Sequence, residues 1–341
     1  MSLVVRVRMR YAIALLTFLS MLVLALPTAA QQSNPNVPVD PDASAVKEET
    51  LLREAPRIEG RIDQPDRKAR VLMQPAGRQW DHFHEIILHW LGAIVILGMI
   101  ALLALAYLIL GRIRMSAGRS GKKIVRFSGF ERFSHWLTAA SFVLLALTGL
   151  NITFGKFLLL PSLGPEAFST IAQSAKYVHN FVSFSFVAGL ALIVALWIKD
   201  NLPQRVDLDW LKQGGGFIKS KHAPAGRFNA GEKLVFWFAL GAGAAVTVSG
   251  ILLLFPFYWT NIAGMQIAQV VHAVVAVLFV AVILAHIYIG TLGMEGAFEA
   301  MGTGEVDINW AKEHHDLWLE DKLMKERPAV GSRQTPAAPA G

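Results

Sequence analysis

Cysteine is absent from the chain. That absence excludes disulfides, thiolate-held iron–sulfur clusters and covalently attached c-type haem, so any iron–sulfur chemistry has to come from another polypeptide. Charge is scarce as well. Asp, Glu, Lys and Arg make up 17% of the 341 residues against 54% hydrophobic, and mean hydropathy is +0.44. This is the composition of a membrane protein. The net charge of +7 lies beside apolar runs, where positive-inside topology explains it. Membrane lipid is therefore an expected partner and nucleic acid is not. Internal repeats and interrupted apolar runs, the marks of many carriers, are also missing.

The chain divides by composition. Residues 1–30 combine Arg6, Arg8 and Arg10, an apolar run from Tyr11 to Leu26 and the small-residue end Pro27-Thr28-Ala29-Ala30. That is the three-part pattern of a signal peptide, with an uncleaved anchor as the alternative. Residues 31–84, rich in Pro, Asp, Arg and Gln, read as an exported disordered segment. An apolar run from Glu85 to Leu110 and a basic loop make 85–126 an extra transmembrane helix with its connection. Four more spans follow within 127–320, over Phe133–Phe154, Lys176–Trp197, Leu234–Phe257 and Met265–Gly293. Residues 321–341 read as a disordered tail. The expected fold is all-α and integral to the membrane: a four-helix transmembrane bundle plus one extra N-terminal helix and the signal peptide.

Loop charge orients the spans. The connections 112–126 and 199–233 are rich in Lys and Arg, the one between the second and third spans holds Lys156 and Lys176, and the one between the fourth and fifth has neither type. The positive-inside rule places the basic loops and the C-terminus in the cytoplasm and the mature N-terminus outside, in the periplasm of a bacterial inner membrane.

The last span carries His272 and His286 but no Asp, Glu, Lys or Arg. Fourteen residues at about 100° each leave a net offset of only about −40°, so both imidazoles share one helix face, about 21 Å apart along it. Ionisable groups inside a span point to a bundle interior and to function. His135 opens the second span and His179 the third. With the orientation above, depth pairs His135 with His286 near the inner face and His179 with His272 near the outer face. Two facing imidazoles are what a bis-histidine b-type haem needs, since porphyrin fills the equatorial positions. Four such residues imply two haem b. Each histidine singly has a plainer reading, as an interfacial anchor or an interhelical hydrogen-bond partner. Zinc or non-haem iron is disfavoured, because no carboxylate or cysteine shares these depths.

Other residues carry weaker signals. His82, His84 and His89 cluster at the start of the extra span, where belt residues are ordinary. Gly149, fourteen residues after His135, falls on the same helix face near the outer pair's depth and serves either a macrocycle or close helix packing. Arg132 is either a propionate partner or ordinary positive-inside charge.

From about Lys122 to Glu320 the chain resembles the gamma subunit of respiratory formate dehydrogenase, a membrane dihaem cytochrome b. The resemblance rests, in order, on FERFSHW with His135, KYVHNF with His179, RFNAGEK, VVHAVVAV with His272, LAHIYIG with His286, and WAKEHHDLW. RFNAGEK and WAKEHH are more specific than the histidines, which hydrogenase and thiosulfate reductase cytochrome b subunits share. The resemblance implies an iron–sulfur beta subunit and a molybdopterin-containing alpha subunit as partners. It also implies electron transfer to menaquinone or ubiquinone, with Asn229 and Gly231 at the quinone. By their own chemistry these two residues are equally a helix cap and turn. Glu232 stands where the short forms of the subunit commonly have Gln. Alternative readings are a cytochrome b of a hydrogenase or other quinone-linked oxidoreductase, and a haem-free membrane anchor.

Overall fold

The computed structural model describes residues 75–215 and 223–326. The signal-like start, residues 31–74 and residues 327–341 lie outside them. Helix α1 (Pro75–His82) runs through a π-helical turn (Phe83–Ile87) into α2 (Leu88–Leu110). The helix therefore starts ten residues before Glu85, and 75–84 is not irregular as expected. Proline is tolerated in a first helical turn because its missing N–H has no intrahelical acceptor there. Gly111, at φ 70°, ends α2 in a conformation glycine adopts at low cost.

After strand β1 (Lys123–Val125), α3 (Gly129–Leu158) and α4 (Leu160–Trp197) form a hairpin. The first is fixed by a reciprocal capping box: the Ser128 hydroxyl accepts from the Glu131 N–H, and Glu131 Oε2 accepts from the Ser128 N–H. Helix α4 starts sixteen residues before Lys176, the expected beginning. The polar stretch remains helical because Gly164, at φ 77°, absorbs a kink and Pro165 then starts the straight segment from a position it favours. Where α3 and α4 cross, a Cβ on Gly189 would lie 3.1 Å from the Thr138 backbone, so only glycine permits that approach.

Helix α5 (Arg205–Lys212) lies in the loop before α6 (Ala230–Leu254), which is capped by Asn229 and Glu232 in a second reciprocal box. Helix α7 (Ile262–Tyr288) begins at an Asn261 cap and ends in a π-helical turn (Ile289–Gly293). Short α8 (Ala297–Gly302), β2 (Glu305–Asp307), α9 (Ile308–His314) and α10 (Asp316–Glu326) follow. Residues 321–326 thus extend a helix where a disordered tail was expected; i,i+4 pairs Lys322–Glu326 and Lys325–Asp321 support its last turns. Among the described residues, five helical segments, Gln79–Leu110, Gly129–Leu158, Leu160–Trp197, Ala230–Leu254 and Ile262–Gly293, are long and apolar enough to cross a membrane. The fold is a multi-spanning all-α bundle with an extra N-terminal helix.

The basic loops and the C-terminal helices close one end of the bundle. β1 and β2 pair antiparallel, Ile124 opposite Val306. Asp307 accepts hydrogen bonds from Ser120, Gly121 and Asn309 backbone N–H groups. Burial alone would push its carboxyl up, but these donors outweigh it and hold the group below the ordinary carboxylate range. Beneath the strands, Ile124, Phe127, Trp197, Phe228, Val306, Trp310 and Leu319 form one buried apolar cluster. Exposed Ile94, Leu105, Ile109 and Val248 line the helices elsewhere, as lipid-facing surfaces require.

Candidate functional site

The bundle brings the four predicted histidines together in two pairs. His135 on α3 faces His286 on α7 with ring centroids 6.3 Å apart. His179 on α4 faces His272, also on α7, at 6.1 Å. An imidazole nitrogen sits about 2.0–2.1 Å from a bound transition metal, and its ring radius is about 1.1 Å, so two imidazoles on opposite sides of one metal keep their centroids about 6.2–6.4 Å apart. Both pairs lie within about 0.2 Å of that span. The first lies at the end closed by the strands: Trp136, beside His135, donates from Nε1 to the Met301 carbonyl at 2.9 Å. The second lies at the opposite end of α7, about four turns away.

The ring nitrogens of the second pair are held from behind. His179 Nδ1 lies 2.9 Å from Thr148 Oγ1, and His272 Nδ1 lies 3.1 Å from Ser249 Oγ. Both hydroxyls give their hydrogen to a carbonyl one turn back on their own helix, Leu144 and Ala245, so each Nδ1 is the donor and each Nε2 is left with the lone pair that a metal needs. Glycine follows both hydroxyls. A Cβ on Gly149 would stand 3.4 Å from His179 Cε1, and one on Gly250 would stand 3.2 Å from His272 Cε1. Gly149 thus lies against the His179 ring. In the other pair, His135 Nδ1 is buried without a hydrogen-bond partner among the described residues. The donor set, four imidazoles with no carboxylate, fits the axial positions of two haems. No group of three or more His, Cys, Asp or Glu converges among the described residues.

An aromatic layer separates the pairs. Phe279 lies seven residues from both His272 and His286, two helical turns on the same face. It packs against Phe142 at 4.6 Å, Phe238 at 5.9 Å and Phe186 at 6.2 Å. Phe186 and Phe279 are 4% and 3% exposed, which makes this a dry partition of low dielectric. Sequence reasoning missed this layer and the two hydroxyls. The available signals were phenylalanines seven residues from each histidine and the Thr-Gly and Ser-Gly dipeptides in two spans.

Asn229 and Gly231 sit at the closed end, at the start of α6. Asn229 Oδ1 accepts from the Glu232 N–H at 2.9 Å, so the cap reading describes its oxygen. Gly231 lies under Trp210, whose Cη2 would be 3.0 Å from an added Cβ. Glu232 Oε1 accepts from Arg126 Nη2 at 3.0 Å, and its Oε2 lies 3.7 Å from His315 Nε2. His315 is 1% exposed and its Nδ1 lies 2.9 Å from the Gly226 carbonyl. Burial, and then the Arg126 cation, push this imidazole well below its ordinary range. Arg132 donates to the Gly302 and Met301 carbonyls, so it caps α8. At the other end, His89 Nε2 lies 2.8 Å from the Thr153 carbonyl.

Comparison with known proteins covers this same region. Residues 126–304 match the family described as prokaryotic cytochrome b561. The cytochrome b556(fdo) subunit of formate dehydrogenase from Escherichia coli (strain K12) is 32% identical over 202 residues, 58% of this chain and 92% of that protein. The nitrate-inducible cytochrome b556(Fdn) subunit of the same strain is 28% identical over 206 residues, 59% and 92% of the two chains. A formate dehydrogenase cytochrome b556 subunit of Haemophilus influenzae is 27% identical over 209 residues, 60% and 85%.

Proposed function

Since the chain belongs to the prokaryotic cytochrome b561 family and to the cytochrome b556 subunits of formate dehydrogenase, we propose that it binds two bis-histidine haem b groups and passes electrons to membrane quinone. The reading is carried by two facing imidazole pairs at 6.1 and 6.3 Å. His179 and His272 would hold the outer haem, and His135 and His286 the inner one. Haem b at each pair would supply one-electron Fe(III)/Fe(II) chemistry.

The chain's own residues do the rest. The four imidazoles would present nitrogen lone pairs to the two groups. The Phe142/Phe186/Phe279 layer excludes water between the sites. The Asn229 amide nitrogen, whose oxygen partner is fixed, is the group that a quinone carbonyl of menaquinone or ubiquinone would meet, with Gly231 beside it under Trp210. Electrons come from an iron–sulfur beta subunit, and formate oxidation belongs to a molybdopterin-containing alpha subunit. The chain is an electron-carrying subunit, set in a bacterial inner membrane with its C-terminus cytoplasmic, on the strength of loop charge. Residues 1–30 would serve as signal peptide and 127–320 as the dihaem domain.

A visible difference spectrum on membranes holding this chain and its partners tests the proposal, with formate and then dithionite as reductants and haem counted per polypeptide. Two b-type haems reduced by formate are expected. Two haems reduced by dithionite alone would point to a hydrogenase or other oxidoreductase as donor. No haem would leave a membrane anchor.

A further inference from the structure

The two hairpins α3–α4 and α6–α7 repeat one arrangement at the outer pair. In each, a hydroxyl–glycine dipeptide on the first helix backs the histidine on the second: Thr148-Gly149 behind His179, and Ser249-Gly250 behind His272. The hydroxyl hydrogens are already committed. Thr148 Oγ1 donates to the Leu144 carbonyl at 2.7 Å and Ser249 Oγ to the Ala245 carbonyl at 2.6 Å. Each oxygen is therefore left as an acceptor for the imidazole Nδ1–H. The glycine keeps the space against ring carbon Cε1 open, so the ring can lean onto that oxygen. At the inner pair, His135 Nδ1 is buried and meets no such acceptor among the described residues.

We propose that Thr148 and Ser249 are positioning residues of the outer site that make its imidazoles better electron donors than the inner ones and so lower its reduction potential relative to the inner site. An acceptor on the far nitrogen fixes the tautomer and ring orientation and raises ligand basicity, which favours the oxidised iron. Two acceptors act on one site and His135 has none, so the difference biases electrons from the outer face to the inner face. The inference rests on the dihaem reading above.

The test is a redox titration of both haems in the complete purified complex, with haem counted per polypeptide, in wild type and in the Thr148→Val/Ser249→Ala double variant. One of the two transitions should move upward, by up to about tenfold in the oxidised-to-reduced ratio at fixed potential, which is about 59 mV for one electron. The other should stay in place. The swap Thr148→Ser/Ser249→Thr, which keeps both oxygens, should restore the wild-type value. Should the double variant fail to assemble, Ser249→Ala alone, which only removes an atom, should move the same transition by a smaller step. Two retained haems with unmoved potentials, or both transitions shifting equally, would overturn this inference and leave the dihaem reading standing. Wild-type protein without two haems would overturn the dihaem reading itself, and this inference with it.

Discussion

Phe279→Ala tests whether the layer between the two histidine pairs is a close-packed partition. Phe279 is 3% exposed and touches Phe142, Phe186 and Phe238. In a water-soluble core the substitution would cost about 3–5 kcal/mol, the sum of a transfer loss and a cavity loss. In a bilayer the transfer part falls away, because helices separated in lipid keep their phenylalanines in hydrocarbon. What remains is lost dispersion around the void. Removing about 100 Å³ of ring at about 24 cal/mol per Å³ gives about 2.4 kcal/mol. Unfolding in mixed micelles by added SDS measures it, with lipid-facing Val248→Ala on α6 (62% exposed) as a control expected to stay within about 0.5 kcal/mol. A loss below about 1 kcal/mol would mean that the helices close over the gap. A loss above about 4 kcal/mol would mean that the transfer term persists. Either result would refute the reasoning.

His272→Ala should remove the outer haem and stop reduction of quinone by formate; haem quantification finding two haems in the variant would break the pairing with His179. Asn229→Ala should leave both haems bound and slow their reoxidation by quinone in stopped-flow traces, whereas unchanged reoxidation would leave Asn229 as a helix cap alone. Gly189→Leu should separate α3 from α4, because an added side chain meets Thr138 Oγ1 and, just behind it, the Thr138 backbone; the readout is loss of thermal stability and of both haems, against a Gly241→Leu control, where nothing lies within 4 Å. The closed end should loosen in acid. Its buried His315 is held below its ordinary range by desolvation and by Arg126, so below pH about 6.5 the opened end takes up a proton that the packed end refuses. Stability should fall there by at most about 1.4 kcal/mol per pH unit, offset in part by the Glu232 carboxylate 3.7 Å from Nε2. Hydrogen exchange over residues 300–320 would show it, and His315→Gln should flatten the profile.

The spans and the depth pairing were legible because both follow from one-dimensional periods. Apolar length marks a crossing, and 3.6 residues per turn places His272 and His286 on one face whatever surrounds them. Helix ends were less legible. α4 continues through sixteen residues of polar character before Lys176 because Gly164 bends and Pro165 restarts the helix, and hydropathy cannot see a helix that leaves the hydrocarbon. The closed end was hidden for another reason. β1 and β2 are three residues each and pair across about 180 positions, so no local pattern announces them. Arg132 read as either a propionate partner or ordinary positive-inside charge, yet it serves the carbonyl end of α8, an element too short to be read from sequence.

The hydroxyls behind the outer pair illustrate a limit of a different kind. Helical Ser and Thr commonly return a hydrogen bond to the carbonyl four residues back, and this chain does so repeatedly: Ser134 to Phe130, Thr138 to Ser134, Thr291 to Ile287. Thr148 and Ser249 make that same bond and are indistinguishable from the others by spacing. What separates them is the free lone pair that meets an imidazole of another helix, and that depends on how α3 is rotated against α4 and α6 against α7. The glycine that follows each of them is the legible trace, because a side chain there would crowd Cε1 of the ring being held. A hydroxyl followed by glycine in one span is packing. The same pair in two spans, each one helix ahead of a histidine of the same facing pair, describes two rings whose orientations are set by the helices behind them.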